Sequence, residues 1–180
     1  MRLSASGGVY LDEARAPQSP YVQTLAEIPG GRLGTRITLR LMDKLKQDYS
    51  VHPVIRQLAM RLVEGLPQKD YRGEVTRLHQ FVRDRVRYVR DVVGVETLQT
   101  PLKTLELGQG DCDDKSTLLA AMLQAIGHRT RFKAVGFKPG QLSHVFPEVQ
   151  LGTRWLPAET TEFWPLGRKP PGVVSVMVQE

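Results

Sequence analysis

The chain has 180 residues, 41% hydrophobic and 24% charged, a balance that suits a folded domain and excludes wholesale disorder and collagen-like repeats. Its 25 Lys and Arg against 19 Asp and Glu leave a net charge of +6, but the cations are scattered, with no dense run interleaved with aromatics, so nucleic acid is set aside as a partner. No apolar stretch reaches the length of a membrane span, and the single cysteine, Cys112, excludes an internal disulfide and a multi-cysteine zinc site.

In chain order, residues 1–48 read as an N-terminal extended arm followed by a short helix or strand. Gly7-Gly8, Pro17, Pro20 and Pro29-Gly30-Gly31 break any period over residues 1–35, as in segments that lie along a partner. Met1 to Gly8 lack the apolar region of a secretory leader, so the expected location is the cytoplasm or a particle assembled there. Ile37, Leu39 and Leu41 alternate with Arg36, Thr38 and Arg40, which predicts a short strand running into a helical turn. A domain is expected over residues 49–180. Its first helix starts at Pro53, carries Ile55, Leu58, Ala59 and Leu62 at helical spacing, and stops at Gly65. A second turns Val75, Leu78, Phe81, Val82 and Val86 inward and Arg77, Arg83 and Arg87 outward, with His79 on a polar face. An irregular stretch through Gly94 and Pro101 follows.

The third helix opens at Asp111-Cys112-Asp113-Asp114 and is apolar almost all round from Leu118 to Ile126, the pattern of a buried helix, with Gly127 as its stop. Beyond it the period becomes that of strands, at 131–137, 145–151, 154–156 and 173–178. Helices followed by consecutive strands predict an α+β fold, with a central buried helix that bears the cysteine packed on an antiparallel sheet.

Cys112 follows a helix-capping Asp111, where the helix dipole and unpaired N–H groups favour a thiolate and suit a developing oxyanion. Asp111, Asp113 and Asp114 oppose that charge, so a nearby imidazolium would be needed. Of His52, His79, His128 and His144, the last begins a strand and so has a rigid mount, and a neighbouring antiparallel strand would bring Glu159 beside it. On spacing alone, a buried cysteine, a surface histidine and a strand-end glutamate are the simpler reading. Asp113 and Asp114 are explained as well by a helix start as by metal ligation, so neither a metal nor a cofactor is assigned.

From about Val54 to Trp164 the chain resembles the transglutaminase-like superfamily of papain-related folds. The resemblance rests on Gly110-Asp111-Cys112-Asp113-Asp114 with Leu118-Leu119-Ala120-Ala121, on His144-Val145-Phe146-Pro147-Glu148-Val149, and on Trp155-Leu156-Pro157-Ala158-Glu159-Thr160-Thr161. Tyr88-Val89-Arg90-Asp91 and Thr100-Pro101 resemble two upstream elements. The resemblance implies a nucleophile at Cys112, a general base and acid at His144 and an orienting acid at Glu159, where the usual residue is Asp; Phe146 stands where Trp is common. The extra methylene of Glu159 must be accommodated or His144 is misaimed. The Cys112 N–H, with Tyr88 or Gln109, is the candidate oxyanion donor set. The implied activity is amide-bond acyl transfer on a protein or peptide, with hydrolysis ahead of amine transfer. The chain is also similar to small phage- and prophage-encoded members. That implies an alternative as a virion structural protein with little or no activity, docked through residues 1–35 and the tail from Pro170.

Overall fold

A computed structural model describes residues 28–90 and 97–179, together with the backbone of two short paired strands, β1 (Arg2–Leu3) and β2 (Val9–Tyr10). The expected arm and its docking role therefore fall largely outside the described residues. Five helices follow: α1 (Gly31–Ser50), α2 (Pro53–Val63), α3 (Tyr71–Arg85), α4 (Pro101–Leu107) and α5 (Cys112–Ala125). Between them, β3 (Arg87–Tyr88) and β4 (Gln109–Gly110) form a short parallel pair. The chain ends in β5 (Thr130–Gly136), β6 (His144–Leu151), β7 (Arg154–Pro157) and β8 (Ser175–Gln179). These make one antiparallel sheet in the order β7-β6-β5-β8. The α+β prediction holds. Among the described residues no helix is long and apolar enough to cross a membrane.

α5 is the centre of the fold because its sequence leaves it no polar side. Every residue from Leu118 to Leu123 is fully buried. α2 and α3 cover one flank with Ile55, Ala59, Val75, Leu78 and Val82, and β6 adds Val149 to that cluster. On the other flank Leu39 and Met42 of α1 meet Ala120, Phe132, Ala134 and Val145. At about 25 cal/mol per Å² of apolar surface, burial of this order is what offsets the entropy of ordering the chain.

Three expectations are corrected. Residues 37–46 form no strand: α1 is continuous helix from Gly31, which also removes residues 31–35 from the irregular arm. The alternation over 37–41 is too short to decide, whereas Thr38, Leu39, Met42, Leu45 and Lys46 repeat at helical spacing and are buried. α1 also runs through the boundary expected after residue 48. The stretch before the cysteine loop contains α4, which Thr100 caps by accepting the Lys103 N–H, with Pro101 in its first turn and the left-handed Gly108 as its stop. The strand expected over 173–178 is present as β8, which pairs with β5.

Candidate active site

The site begins with the first turn of α5. Asp111 Oδ1 accepts the N–H groups of Asp113 and Asp114, and Asp114 Oδ2 accepts the Asp111 N–H in return, closing a capping box. The other oxygen of Asp114, Oδ1, takes the Gln99 N–H at 2.7 Å, so this buried carboxylate ties the segment before α4 to the cysteine loop. Only glycine fits at 110, since a Cβ there would lie 2.6 Å from that of Asp114. Cys112 is thereby set as the first helical residue.

The strand opposite is anchored to the same turn. β7 pairs with β6 only from Glu148 onward, so Val145 lies past that ladder. Its carbonyl accepts the Ser116 hydroxyl at 3.2 Å, and its N–H bonds to the Cys112 sulfur. His144 immediately precedes Val145. Its Nε2 bonds to Glu159 Oε2, while Glu159 Oε1 accepts both the N–H and the hydroxyl of Thr161, each at 2.7 Å. Every oxygen of this buried carboxylate has a partner. Burial would raise its pKa, but the bonds from His144 and Thr161 outweigh that and hold it below the usual carboxylate value. Glu159 is thus ionised and accepts the hydrogen bond from His144 Nε2. The longer glutamate side chain is accommodated.

Cys112, His144 and Glu159 line one cavity of about 680 Å³ together with Tyr88. The resting thiol is not a thiolate. Burial pushes its pKa well above the ordinary value, and the carboxylates of Asp113 and Asp111 push the same way; only the Val145 N–H opposes them. The Cys112 S–H donates to Asp113 Oδ1 at 3.3 Å. Among the described residues Asp111, Cys112 and Asp113 bring ligand atoms within 4.8 Å of one another, the one grouping with the donors for a cation. Capping and the S–H bond already account for both carboxylates.

Tyr88 reaches the cavity because β3 pairs with β4, with the Val89 N–H on the Gly110 carbonyl. Burial and then the neighbouring Cys112 sulfur raise its phenol pKa. Gln109 is not brought to the cavity: its Oε1 accepts Arg87 Nη2 at 2.7 Å.

Some of the surroundings were missed in the sequence. His79 is not on a polar face but 1% exposed, and its Nε2 lies 2.5 Å from the Glu159 carbonyl oxygen. The signal was there, since His79 falls four residues after Val75 and three before Val82, within the apolar stripe. Lys115 is equally buried, with Nζ bonded to the carbonyl of Val86 and 3.4 Å from that of Arg83 at the end of α3. Burial lowers its pKa to about 8. Arg83, expected outward, donates to the Trp164 carbonyl at 3.0 Å. Leu39 and Met42 of α1 form part of the cavity wall.

Residues 56–160 match the family model of the transglutaminase-like superfamily. The chain belongs to that superfamily. Among solved structures, this transglutaminase-like chain is similar to a candidate protease of Parabacteroides distasonis, with a TM-score of 0.61 at 13% identity over 87% of this chain and 35% of that one. A candidate cysteine protease of Cytophaga hutchinsonii matches 77% of this chain and 50% of that one at 17% identity, with a TM-score of 0.47. The transglutaminase-like chain thus spans half or less of the length of either protein, and what it shares with the first of them is a fold. No curated protein matches it.

Proposed function

We propose that this protein is a cysteine peptidase, with Cys112 as nucleophile, His144 as general base and acid, and Glu159 as the carboxylate that orients it. The observation that carries this reading is the ionised Glu159 bonded to His144 Nε2 in the cavity that Cys112 also lines. The protease designations of the structural neighbours agree with it.

Because the resting thiol is protonated, the base acts during attack rather than before it. His144 Nδ1 accepts the thiol proton as sulfur bonds to the amide carbonyl carbon, and Glu159 stabilises the imidazolium that forms. The oxyanion forms at the start of α5, where the cap consumes the N–H groups of Asp113 and Asp114 but not that of Cys112. Tyr88 is the side chain on the cavity wall suited to be a second donor. The C–N bond then breaks, the imidazolium protonates the leaving amine, and a thioester remains on Cys112. Water activated by His144 hydrolyses it.

The test is acylation of the full chain by p-nitrophenyl acetate, followed by intact mass and nitrophenol release. A single acetyl group on Cys112, absent from Cys112→Ser and formed about 10²- to 10⁴-fold more slowly in His144→Ala, is the expected result. Acylation at the rate of an ordinary thiol and indifferent to His144 overturns the reading. Peptide cleavage by the active chain then separates hydrolysis from amine transfer.

A further inference from the structure

We infer that His79 is a positioning residue of this site: its ring holds the main chain of Glu159 so that the glutamate carboxylate meets His144. The inference rests on the peptidase reading for its consequence, but on independent geometry for its substance.

Glu159 sits where the sheet runs out. The Ala158 N–H still bonds to the Pro147 carbonyl at 2.8 Å, and β7 itself ends at Pro157. One residue later the Glu159 carbonyl turns to α3 and meets His79 Nε2 at 2.5 Å. A carbonyl oxygen only accepts, so Nε2 carries the hydrogen. With burial lowering the pKa of this ring, it is a neutral donor whose lone pair lies on Nδ1.

Nδ1 is buried without a hydrogen bond among the described residues, on the buried face that His79 shares with Val75, Leu78 and Val82 of its helix. An apolar residue would fill this place without an unmet ring nitrogen, but it would leave the Glu159 carbonyl without this donor. What only a donor of this length supplies is the bond to the Glu159 carbonyl.

The consequence is geometric. The main chain is thus held to β6 at Ala158 and to α3 at Glu159. The Glu159 carboxylate is bonded at the same time to His144 and to Thr161, so a shift of the peptide strains or moves those bonds. Displacements near 1 Å at such a group cost about 10²-fold in rate.

The experiment compares His79→Met, which keeps the bulk and removes the donor, with His79→Gln, whose amide reaches to the same place. The first readout is the downfield imidazole N–H proton of His144 in the ¹⁵N-labelled full chain, assigned by its loss in His144→Ala. The second is the rate of Cys112 acylation against pH. The expected result is that His79→Gln keeps the N–H signal and acylates within about 3-fold of wild type. His79→Met loses the signal and slows about 10- to 100-fold, with a displaced pH profile. If His79→Met does not fold, His79→Asn, whose shorter amide falls short of the carbonyl, is expected to lose the signal that His79→Gln keeps.

A variant without the donor that keeps the His144 signal and the wild-type rate, with only its melting temperature lowered, overturns the inference. So does absence of the signal from the wild-type chain. If acylation of wild type proves indifferent to His144 while the signal still follows His79, the peptidase reading fails and the positioning stands.

Discussion

Glu148, inside β6, and Glu159, just past the end of β7, are equally buried, each 2% exposed, yet they are neutralised in different ways. Glu148 is held by permanent cations: Arg131 Nη2 at 2.8 Å and Lys133 Nζ at 3.0 Å, one strand away on β5. Arg131 in turn stacks on the Trp155 ring at 4.2 Å. Among the described residues Glu159 has no such partner in contact. Its donors are Thr161 and a histidine, a group whose charge can come and go. A carboxylate locked to guanidinium and ammonium has nothing left to do but hold strands together. One that faces an imidazole stabilises whichever state carries the proton. Burial alone therefore does not mark a site; the titration behaviour of the partner does.

The comparison can be broken most sharply by kinetics. Glu159→Gln is expected to slow Cys112 acylation about 10²- to 10⁴-fold, whereas Glu148→Gln leaves the rate of the folded protein within about 2-fold, both read from nitrophenol release. Acid unfolding separates them further. The folded-state pKa of Glu159 lies below 4.5, so the stability it contributes is complete above that value and is lost as pH falls through the folded pKa. Urea titrations between pH 5 and pH 2 are expected to show this slope in wild type and a shallower one in Glu159→Gln.

The next largest effect concerns the cation that Glu159 feels without touching. Lys115 has a folded pKa of about 8 against 10.5, so between these values the unfolded chain binds more protons and stability rises with pH. The rise is at most about 3 kcal/mol, and Lys115→Met is expected to abolish it in urea titrations at pH 7.5, 8.5 and 9.5. Glu148→Ala is expected to cost about 2 kcal/mol at neutral pH. That is below the usual loss for a broken buried pair, because Arg131 and Lys133 keep 19% and 21% of their side-chain surface. Smallest of all is the exposed α1 pair of Lys44 and Asp48, 2.7 Å apart. Lys44→Ala is expected to change stability by no more than about 0.5 kcal/mol, and a larger loss would mean that exposed and buried pairs do not differ as argued.

Much of this was legible in the chain. The start of α2 at Pro53, the all-apolar α5 with its stop at Gly127 and the strands β5 to β7 follow from periodicity and turn residues, which act over a few positions. The helix α1 was not, because five alternating residues from Ile37 to Leu41 suit either period and only packing against α5 selects one. α4 was missed although Thr100-Pro101 is a helix start, since seven residues give too short a pattern to register.

At the site the division is similar. A cysteine behind a capping aspartate, a histidine opening a strand and a glutamate following the next one are local facts, and the adjacency of His144 and Glu159 follows from antiparallel neighbours joined by a short turn. Three things depended on contacts between residues far apart in the chain. Burial and Asp113 decide that the thiol rests protonated, despite the helix dipole. The pairing of β3 with β4 brings Tyr88 to the cavity and leaves Gln109 with Arg87. α3 meets the chain just past the end of β7, which turns His79 from a residue beside a polar neighbour into the donor on Glu159. The sequence by itself determined the elements and the residue types at their ends, because capping, periodicity and turn chemistry are short-range. Which of those residues share a solvent-poor space, and hence their protonation, was decided only when α5 was enclosed by the helices and the sheet.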